Sequence, residues 1–132
     1  MIVVDASVLA NALGDDAAAG AVARARLTAA DDVVAPDLID VETMSVLRRA
    51  WLRGTLSAER FEVAVDALLA IPIRRYATAP LMRRVLELRA NVSAYDACYV
   101  ALAEGLDATL VTADARLAAA PTTRCEVELL AD

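Results

Sequence analysis

The sequence contains no histidine and no lysine, and only two cysteines occur among its 132 residues. Without histidine, the chain has no Ser-His or Cys-His nucleophilic machinery and no imidazole ligand for a metal ion. Cys98 and Cys125 form no CxxC motif, so a zinc site is not expected. We expect both cysteines to be reduced, half-buried packing residues rather than a disulfide.

Long apolar runs are also missing. No stretch reaches the roughly 20 uninterrupted apolar residues that a membrane span requires, and the N-terminus lacks the basic segment and the cleavage site of a signal peptide. The chain is nevertheless 59% hydrophobic and long enough to bury a core without disulfides or metals. We therefore expect a soluble, cytoplasmic protein with a single domain over residues 1–132.

Positive charge is scarce. The sequence has 13 cationic residues, all of them arginine, and 19 acidic residues, so the net charge is −6. Proteins that bind nucleic acid usually have a basic face, so this balance taken alone argues against such a partner. Arginine is, however, the side chain best shaped for bidentate contact with phosphate. The paired arginines at 48–49, 74–75 and 83–84 are interpreted mostly as solvated helix faces.

Short apolar segments alternate with helical ones along the whole chain. Strands are expected at 2–4, 32–35, 72–74, 108–111 and 126–130, and Pro36-Asp37 is expected to open a long helix that runs to about Arg53. The strands are continuously apolar, which is typical of parallel strands covered on both faces. This pattern predicts an α/β fold with a central, mostly parallel sheet of four to five strands.

Two acidic residues follow predicted strands. Asp5 ends the first strand, in VVDASVL, and Asp114 follows the strand in TLVTAD. Open parallel sheets bind ligands beyond the carboxyl ends of their strands, so both residues have the position of ligand-binding groups. An aspartate directly before a helix is also an ordinary N-cap. Taken singly, each residue fits either interpretation.

Two further acids lie on predicted helices. Asp96 has the S-x-x-D spacing of a capping box with Ser93, yet it also shares an apolar helix face with Tyr99. Glu42 lies inside a helix, where it caps nothing, and its neighbours on that face are mostly apolar. A carboxylate buried there needs a cation, which either Arg49 or a metal ion can supply.

Considered together, Asp5, Glu42, Asp96 and Asp114 indicate a metal site. Several oxygen ligands without histidine or cysteine suit Mg²⁺ or Mn²⁺. A bound divalent ion lowers the pKa of a water molecule and offsets charge on a leaving oxygen, which is the chemistry of phosphodiester hydrolysis. The ions would also supply the positive field that an acidic protein needs in order to act on RNA.

Three more residues are candidates to support this site. Ser7 and Thr112 lie two residues from Asp5 and Asp114 respectively. Their hydroxyls can therefore orient a carboxylate or a metal-bound water by a hydrogen bond. Local hydrogen bonding to the backbone is the alternative role of both hydroxyls. Arg49 is a candidate phosphate contact or charge partner of Glu42.

Three segments carry a resemblance to a known family: VVDASVL at 3–9, APDLIDVETMSVLRR at 35–49, and SAYDACYVALAEGLDATLVTADARL at 93–117. Their order and spacing resemble the PIN-domain family, over essentially the whole chain. More narrowly, the chain is similar to the VapC-type ribonuclease toxins of type II toxin–antitoxin systems.

The resemblance implies a PIN-like three-layer α/β/α sandwich and metal-dependent endonucleolytic cleavage of RNA. It assigns metal-binding and catalytic roles to Asp5, Glu42, Asp96 and Asp114, with Mg²⁺ (or Mn²⁺) as cofactor. It further implies a homodimer and a cognate VapB-type antitoxin whose C-terminal segment occupies the groove and blocks the site. It does not indicate which RNA is cut.

Other classes of protein fit less well. A phosphoacceptor domain of the response-regulator type needs a lysine near its phosphoryl site, and the sequence has none. A haloacid-dehalogenase-like phosphatase has a DxD motif after its first strand, whereas Ser7 occupies the third position here. The strongest alternative that is not an enzyme is an inactive PIN-like scaffold that binds an antitoxin or RNA.

Overall fold

A parallel five-stranded sheet with the order β3-β2-β1-β4-β5 forms the centre of the fold. The computed structural model describes residues 1–121 and 123–131. The strands are β1 (Ile2–Val4), β2 (Val33–Pro36), β3 (Arg74–Tyr76), β4 (Thr109–Thr112) and β5 (Val127–Leu129). The helices are α1 (Ala6–Gly14), α2 (Ala18–Ala29), α3 (Ile39–Leu52), α4 (Ala58–Ala70), α5 (Met82–Glu87), α6 (Ala94–Leu106) and α7 (Ala115–Ala118), with a 3₁₀ turn at Ala79–Leu81.

The strand order reverses at β1, which pairs in parallel with β2 on one side and with β4 on the other. In sheets of this kind the crevice for a ligand lies beyond the carboxyl ends of the strands at the reversal point. Because β1 and β4 are neighbours, the residues that follow them leave the sheet side by side. The predicted α/β sandwich with its parallel sheet is confirmed.

The core is built on the three central strands and on helix α6. Val3, Val34 and Leu110 are fully buried, which explains why these strands are continuously apolar rather than alternating. All residues of α6 from 97 to 103 are buried as well. Helix α6 therefore presents its whole middle section to the protein interior and contacts β1, β2 and β4.

The start of the third helix was predicted wrongly. Pro36 is the last residue of β2 rather than the first turn of a helix, and α3 begins at Ile39. The reason is pairing with β3: Pro36 lies opposite Tyr76, and the Asp37 N–H donates to the Tyr76 carbonyl at 2.7 Å. The chain therefore stays extended through the proline and turns at residues 37–38 before α3 begins.

The third strand and the helix that follows it also differ from expectation. The strand lies at Arg74–Tyr76 instead of 72–74, because its register with β2 is set by residues 34–36. The sequence predicts a helix with Pro80 in its first turn that ends near Asn91, whereas α5 ends at Glu87 and is followed by turns. In the part of the chain that the structure describes, none of the helices combines the length and the apolar character that crossing a membrane requires.

A candidate acidic active site

Four carboxylates from four different elements line one pocket of about 210 Å³. They belong to Asp5, Glu42, Asp96 and Asp114. A larger cleft of about 580 Å³ lies elsewhere along α1, α3 and the start of α4, so chemistry rather than size distinguishes the acidic pocket. The structure thus brings together all four acids that the sequence predicted as a site, while their roles in catalysis and metal binding remain predictions.

Asp5 lies at the junction of β1 and α1 and is almost completely buried, with 5% of its surface exposed. Its Oδ1 accepts hydrogen bonds from the Ser7 hydroxyl at 2.5 Å and from the Val8 N–H at 3.2 Å. Its Oδ2 accepts a hydrogen bond from the Thr112 hydroxyl at 2.5 Å. Asp5 therefore caps α1 and also presents a rigidly held carboxylate to the pocket.

The two hydroxyls that hold Asp5 are themselves oriented by the backbone that follows β4. Ser7 Oγ accepts a hydrogen bond from the Ala113 N–H, and Thr112 Oγ1 accepts one from the Asp114 N–H, both at 3.0 Å. Each hydroxyl is therefore free to direct its proton to Asp5. The structure brings Thr112 to the Asp5 carboxylate and to the backbone of Asp114, rather than to the Asp114 carboxylate.

Glu42 and Tyr99 bring unpaired polar atoms to the same pocket. Glu42 Oε1 and the Tyr99 hydroxyl oxygen are buried, and neither makes a hydrogen bond of acceptable geometry. The two groups are still close enough for each to affect the pKa of the other. Among the described residues both atoms lack a hydrogen-bond partner, which is costly unless a ligand or a water molecule occupies the pocket.

Asp96 and Asp114 complete the pocket from the first turn of α6 and the start of α7. The predicted cap by Ser93 is present, because its hydroxyl accepts a hydrogen bond from the Asp96 N–H at 3.1 Å. Asp114 caps α7 by accepting from the Arg116 N–H at 2.9 Å. The cap of α6 rests on the Asp96 N–H, and the Ser93 hydroxyl is also close enough to the Asp96 carboxylate to oppose the rise in its pKa.

Burial and mutual repulsion disfavour the ionised forms of three of these acids. Burial is the largest cause of the raised pKa of Asp5, Glu42 and Asp96. Repulsion adds to it, since the charge of Asp96 raises the pKa of Asp5 and Glu42. The positive charges that oppose these shifts come from Arg49 for Glu42 and from Arg116 for Asp96. Arg49 itself is exposed and does not line the pocket.

The donor set fits a hard divalent cation, but the side chains do not form a closed cage. Within residues 1–121 and 123–131, no three Asp, Glu or Cys side chains are arranged to hold a single metal ion. Mg²⁺ commonly keeps several waters and uses only one or two carboxylates, so an open arrangement of acids is compatible with it. Glu42 Oε1 has no hydrogen-bond partner among the described residues. A bound divalent ion would supply a partner for this atom.

Tyr99 was identified from the sequence only as part of an apolar helix face, although it lines the acidic pocket. Its spacing of three residues from Asp96 is the signal that could have placed it beside the site. We expect Tyr99→Phe to leave the free energy of unfolding unchanged or to raise it by about 1 kcal/mol, because the substitution removes an unsatisfied buried hydroxyl. Urea denaturation of the metal-free protein measures this, and a loss above about 1 kcal/mol would show that the hydroxyl has a partner.

Comparison with known families decides what kind of protein has this site. The family model described as "PIN domain" matches residues 2–122. The chain belongs to the PIN-domain family. Within the PIN family it belongs with the VapC ribonucleases: it is 43% identical to Ribonuclease VapC1 of Mycobacterium tuberculosis over 97% of this chain and 96% of that protein. Ribonuclease VapC12 of the same organism is 40% identical over 99% of this chain and 100% of its own length. The family assignment made from the sequence is confirmed.

Solved structures of PIN-like proteins share the fold at low sequence identity. VapC20 of Mycobacterium tuberculosis, described as a toxin that cleaves the sarcin–ricin loop, superposes with a TM-score of 0.70 at 20% identity over 90% of this chain and 94% of that one. FitAcB from Neisseria gonorrhoeae gives a TM-score of 0.68 at 17% identity, over 96% of both chains. At these identities the likeness establishes the PIN-like fold alone.

Proposed function

We propose that this chain is a metal-dependent endoribonuclease toxin that hydrolyses RNA phosphodiester bonds. The observation that carries the proposal is the convergence of Asp5, Glu42, Asp96 and Asp114 on one pocket, where an oxygen of Glu42 has no partner. Structural needs alone do not explain this arrangement, because burial and repulsion oppose ionisation of three of the four acids. The curated relatives named as VapC ribonucleases support the class of reaction.

Asp5, Glu42, Asp96 and Asp114 are the residues that would hold Mg²⁺ or Mn²⁺. When bound, such an ion lowers the pKa of a water molecule and offsets negative charge on the phosphate. The chain's own contribution is to fix the acidic oxygens in position. Asp5 is held by two hydroxyl donors and one backbone donor, so it cannot turn away from the pocket when its charge is repelled by the others.

Melting experiments with divalent metal test the acidic site without RNA. We expect Mn²⁺ or Mg²⁺ at about a hundredfold excess over its dissociation constant to stabilise the protein by roughly 2.7 kcal/mol at neutral pH. The raised pKa values of Asp5, Glu42 and Asp96 mean that protons compete with the ion at a higher pH than at ordinary carboxylates. The metal-induced rise in Tm should therefore shrink as the pH falls through these raised values.

Matched variants identify where the metal binds. Asp96→Asn should reduce the metal-induced rise in Tm, because it removes one carboxylate of the pocket. Asp31→Asn makes the same change of charge at an exposed position outside the pocket and should retain the full rise. An equal rise in Tm for both variants would contradict metal binding by the acidic pocket.

The proposal includes partners. VapC toxins pair with antitoxins, and we propose a cognate VapB-type antitoxin, a homodimer and a cytoplasmic location for this chain. Exposed apolar side chains, which complexes commonly cover, support binding to other chains. They include Val41, Trp51, Leu52, Leu69 and Leu86. Light scattering of the purified protein, with and without a co-expressed antitoxin, tests the oligomeric state.

The experiment that tests the reaction is incubation of purified protein with total cellular RNA, with Mg²⁺ or Mn²⁺ and with EDTA. Discrete fragments that appear only with metal support the endoribonuclease and identify its target. The absence of fragments with either metal, in protein shown to be free of antitoxin, favours the inactive PIN-like scaffold that binds an antitoxin or RNA. Arg49→Gln in the same assay tests the proposed role of Arg49 as a phosphate contact or charge partner.

A further inference from the structure

A second cleft of about 380 Å³ adjoins the acidic pocket and shares Asp96 with it. Residues 89–93, together with Asp96, Arg116 and Leu117, line this cleft. We call it the arginine cleft, because Arg89 and Arg116 face a single acid there, Asp96. It therefore carries net positive charge directly beside a pocket that carries net negative charge.

Both arginines retain donors for a ligand. The Arg116 side chain is 88% exposed, and among residues 1–121 and 123–131 its ion pair is a long contact of 3.8 Å between Nη2 and Asp114 Oδ2. Arg89 is exposed, and its Nη1 donates to the Leu86 carbonyl at 2.9 Å, which leaves its other nitrogens available. Most other arginines close to the sheet are already paired with carboxylates. These pairs are Arg26–Glu128, Arg74–Asp32, Arg75–Asp40 and Arg84–Glu104.

The 580 Å³ cleft, which also adjoins the acidic pocket, lacks this excess of positive charge. The 580 Å³ cleft shares Asn11 and Val46 with the acidic pocket, and its lining includes two arginines and two aspartates. One pair is neutralised internally, because Arg60 Nη2 lies 3.0 Å from Asp16 Oδ1. An anionic strand that crosses the acidic pocket is therefore attracted toward the arginine cleft rather than toward the 580 Å³ cleft.

We propose that the arginine cleft binds the backbone phosphate next to the bond that is cleaved, with Arg89 and Arg116 as its ligands. This inference rests on the proposed ribonuclease function, since it assigns the cleft to single-stranded RNA. Guanidinium groups bind phosphate through two parallel N–H donors. The cleft thus offsets the repulsion between the substrate and the acidic pocket, and it fixes the side from which the strand enters.

Binding in EDTA tests the proposal without cleavage. Fluorescence anisotropy of a short, labelled, single-stranded RNA of mixed sequence gives the dissociation constant over a series of salt concentrations. We expect Arg89→Gln and Arg116→Gln each to raise the dissociation constant roughly three- to tenfold. Each variant should also lower the slope of log K against log salt by about 0.7, the value for one phosphate contact in a single strand.

Arg48→Gln and Arg83→Gln are matched controls, because both residues are exposed and lie outside the arginine cleft and the acidic pocket. They make the same change in net charge and should alter neither the affinity nor the salt slope beyond error. Arg116 also lies beside the acids, since its Nη2 is 3.8 Å from Asp114 Oδ2, and its positive charge at that position repels a divalent cation. Its loss should therefore tighten Mn²⁺ binding while it weakens RNA binding, and a purely structural defect would weaken both.

The outcomes separate the two proposals. If all four variants bind RNA as tightly as the wild-type protein does, the arginine cleft is not a phosphate site. Cleavage by the wild-type protein would still support the ribonuclease. If the wild-type protein neither binds nor cleaves RNA, both proposals are overturned. A loss of affinity and slope confined to Arg89→Gln and Arg116→Gln supports the cleft.

Discussion

Replacing Asp96 with asparagine should lower the rate of RNA cleavage at least roughly 100-fold and leave the fold intact. The substitution keeps the size of the side chain and removes one charge from the acidic pocket. The cap of α6 should persist, because Ser93 Oγ accepts its hydrogen bond from the backbone N–H of Asp96. Cleavage of total RNA with Mn²⁺, beside a melting curve of the metal-free protein, measures both effects.

The pH dependence of stability shows whether folding disfavours the ionised form of the Asp96 carboxylate. Burial, followed by repulsion from Asp114, raises its pKa on folding. Below the ordinary aspartate pKa of 3.8, the side chain is neutral in both states and the variant should match the wild type. As the pH rises through the higher folded pKa, the wild type loses stability that Asp96→Asn keeps. The variant should therefore melt at an equal or higher temperature at neutral pH.

Ser93→Ala is the matched control for Asp96→Asn. It removes the hydroxyl that accepts from the Asp96 N–H and should cost about 1 kcal/mol of stability with cleavage retained. A marked fall in the Tm of Asp96→Asn, comparable with that of Ser93→Ala, would assign the carboxylate to the cap. Asp5→Asn is a less clean test, because the Asp5 carboxylate accepts three hydrogen bonds that an amide cannot all accept.

Thr112→Val should have the largest effect on stability of the changes considered around the site. Thr112 is fully buried, and its hydroxyl joins Asp5 Oδ2 to the Asp114 N–H. Valine has the same shape and leaves both groups without their partner, which costs about 2–4 kcal/mol. For a domain of this size the Tm should fall by roughly 10 °C. Cleavage should fall at least roughly tenfold, since Asp5 loses one of its three donors.

Thr112→Ser separates the hydroxyl from the methyl group. It keeps the hydrogen bonds to Asp5 and Asp114 and should cost only about 1 kcal/mol, for the lost methyl group. Its cleavage rate should stay close to that of the wild type. A Thr112→Val protein as stable and as active as Thr112→Ser would show that the hydroxyl does not hold Asp5.

Features that depend on near neighbours in the sequence could be predicted well. The apolar runs at β1 and β4 and the cap by Ser93 are local signals, and all three are present in the structure. The predicted helix start at Pro36 was wrong because the conformation of this residue is decided by pairing with Tyr76, 40 positions later. No local rule for a proline before an aspartate contains that information.

The candidate site likewise combines features that the sequence predicts with features that only the tertiary structure reveals. The four acids were predicted to form one site, since two follow strands and two lie on helices, and an α/β fold can bring these places together at one edge of the sheet. The hydrogen bond from Thr112 to Asp5 spans 107 positions and could not be predicted. The arginine cleft escaped prediction for a related reason: only the tertiary structure reveals that Arg74, Arg75 and Arg84 are bound to carboxylates while Arg116 remains exposed.

The central position of β1 in the sheet has a consequence for the timing of activity during synthesis. A ribosome releases Asp5 and Glu42 early, but β1 then lacks β4 along one edge, and the Thr112 donor to Asp5 does not yet exist. Domains with contacts this distant in sequence complete their structure only after most of the chain has emerged. A growing chain therefore lacks both the Asp114 carboxylate and the Thr112 donor to Asp5, and the complete acidic pocket forms only when translation of the domain is nearly finished.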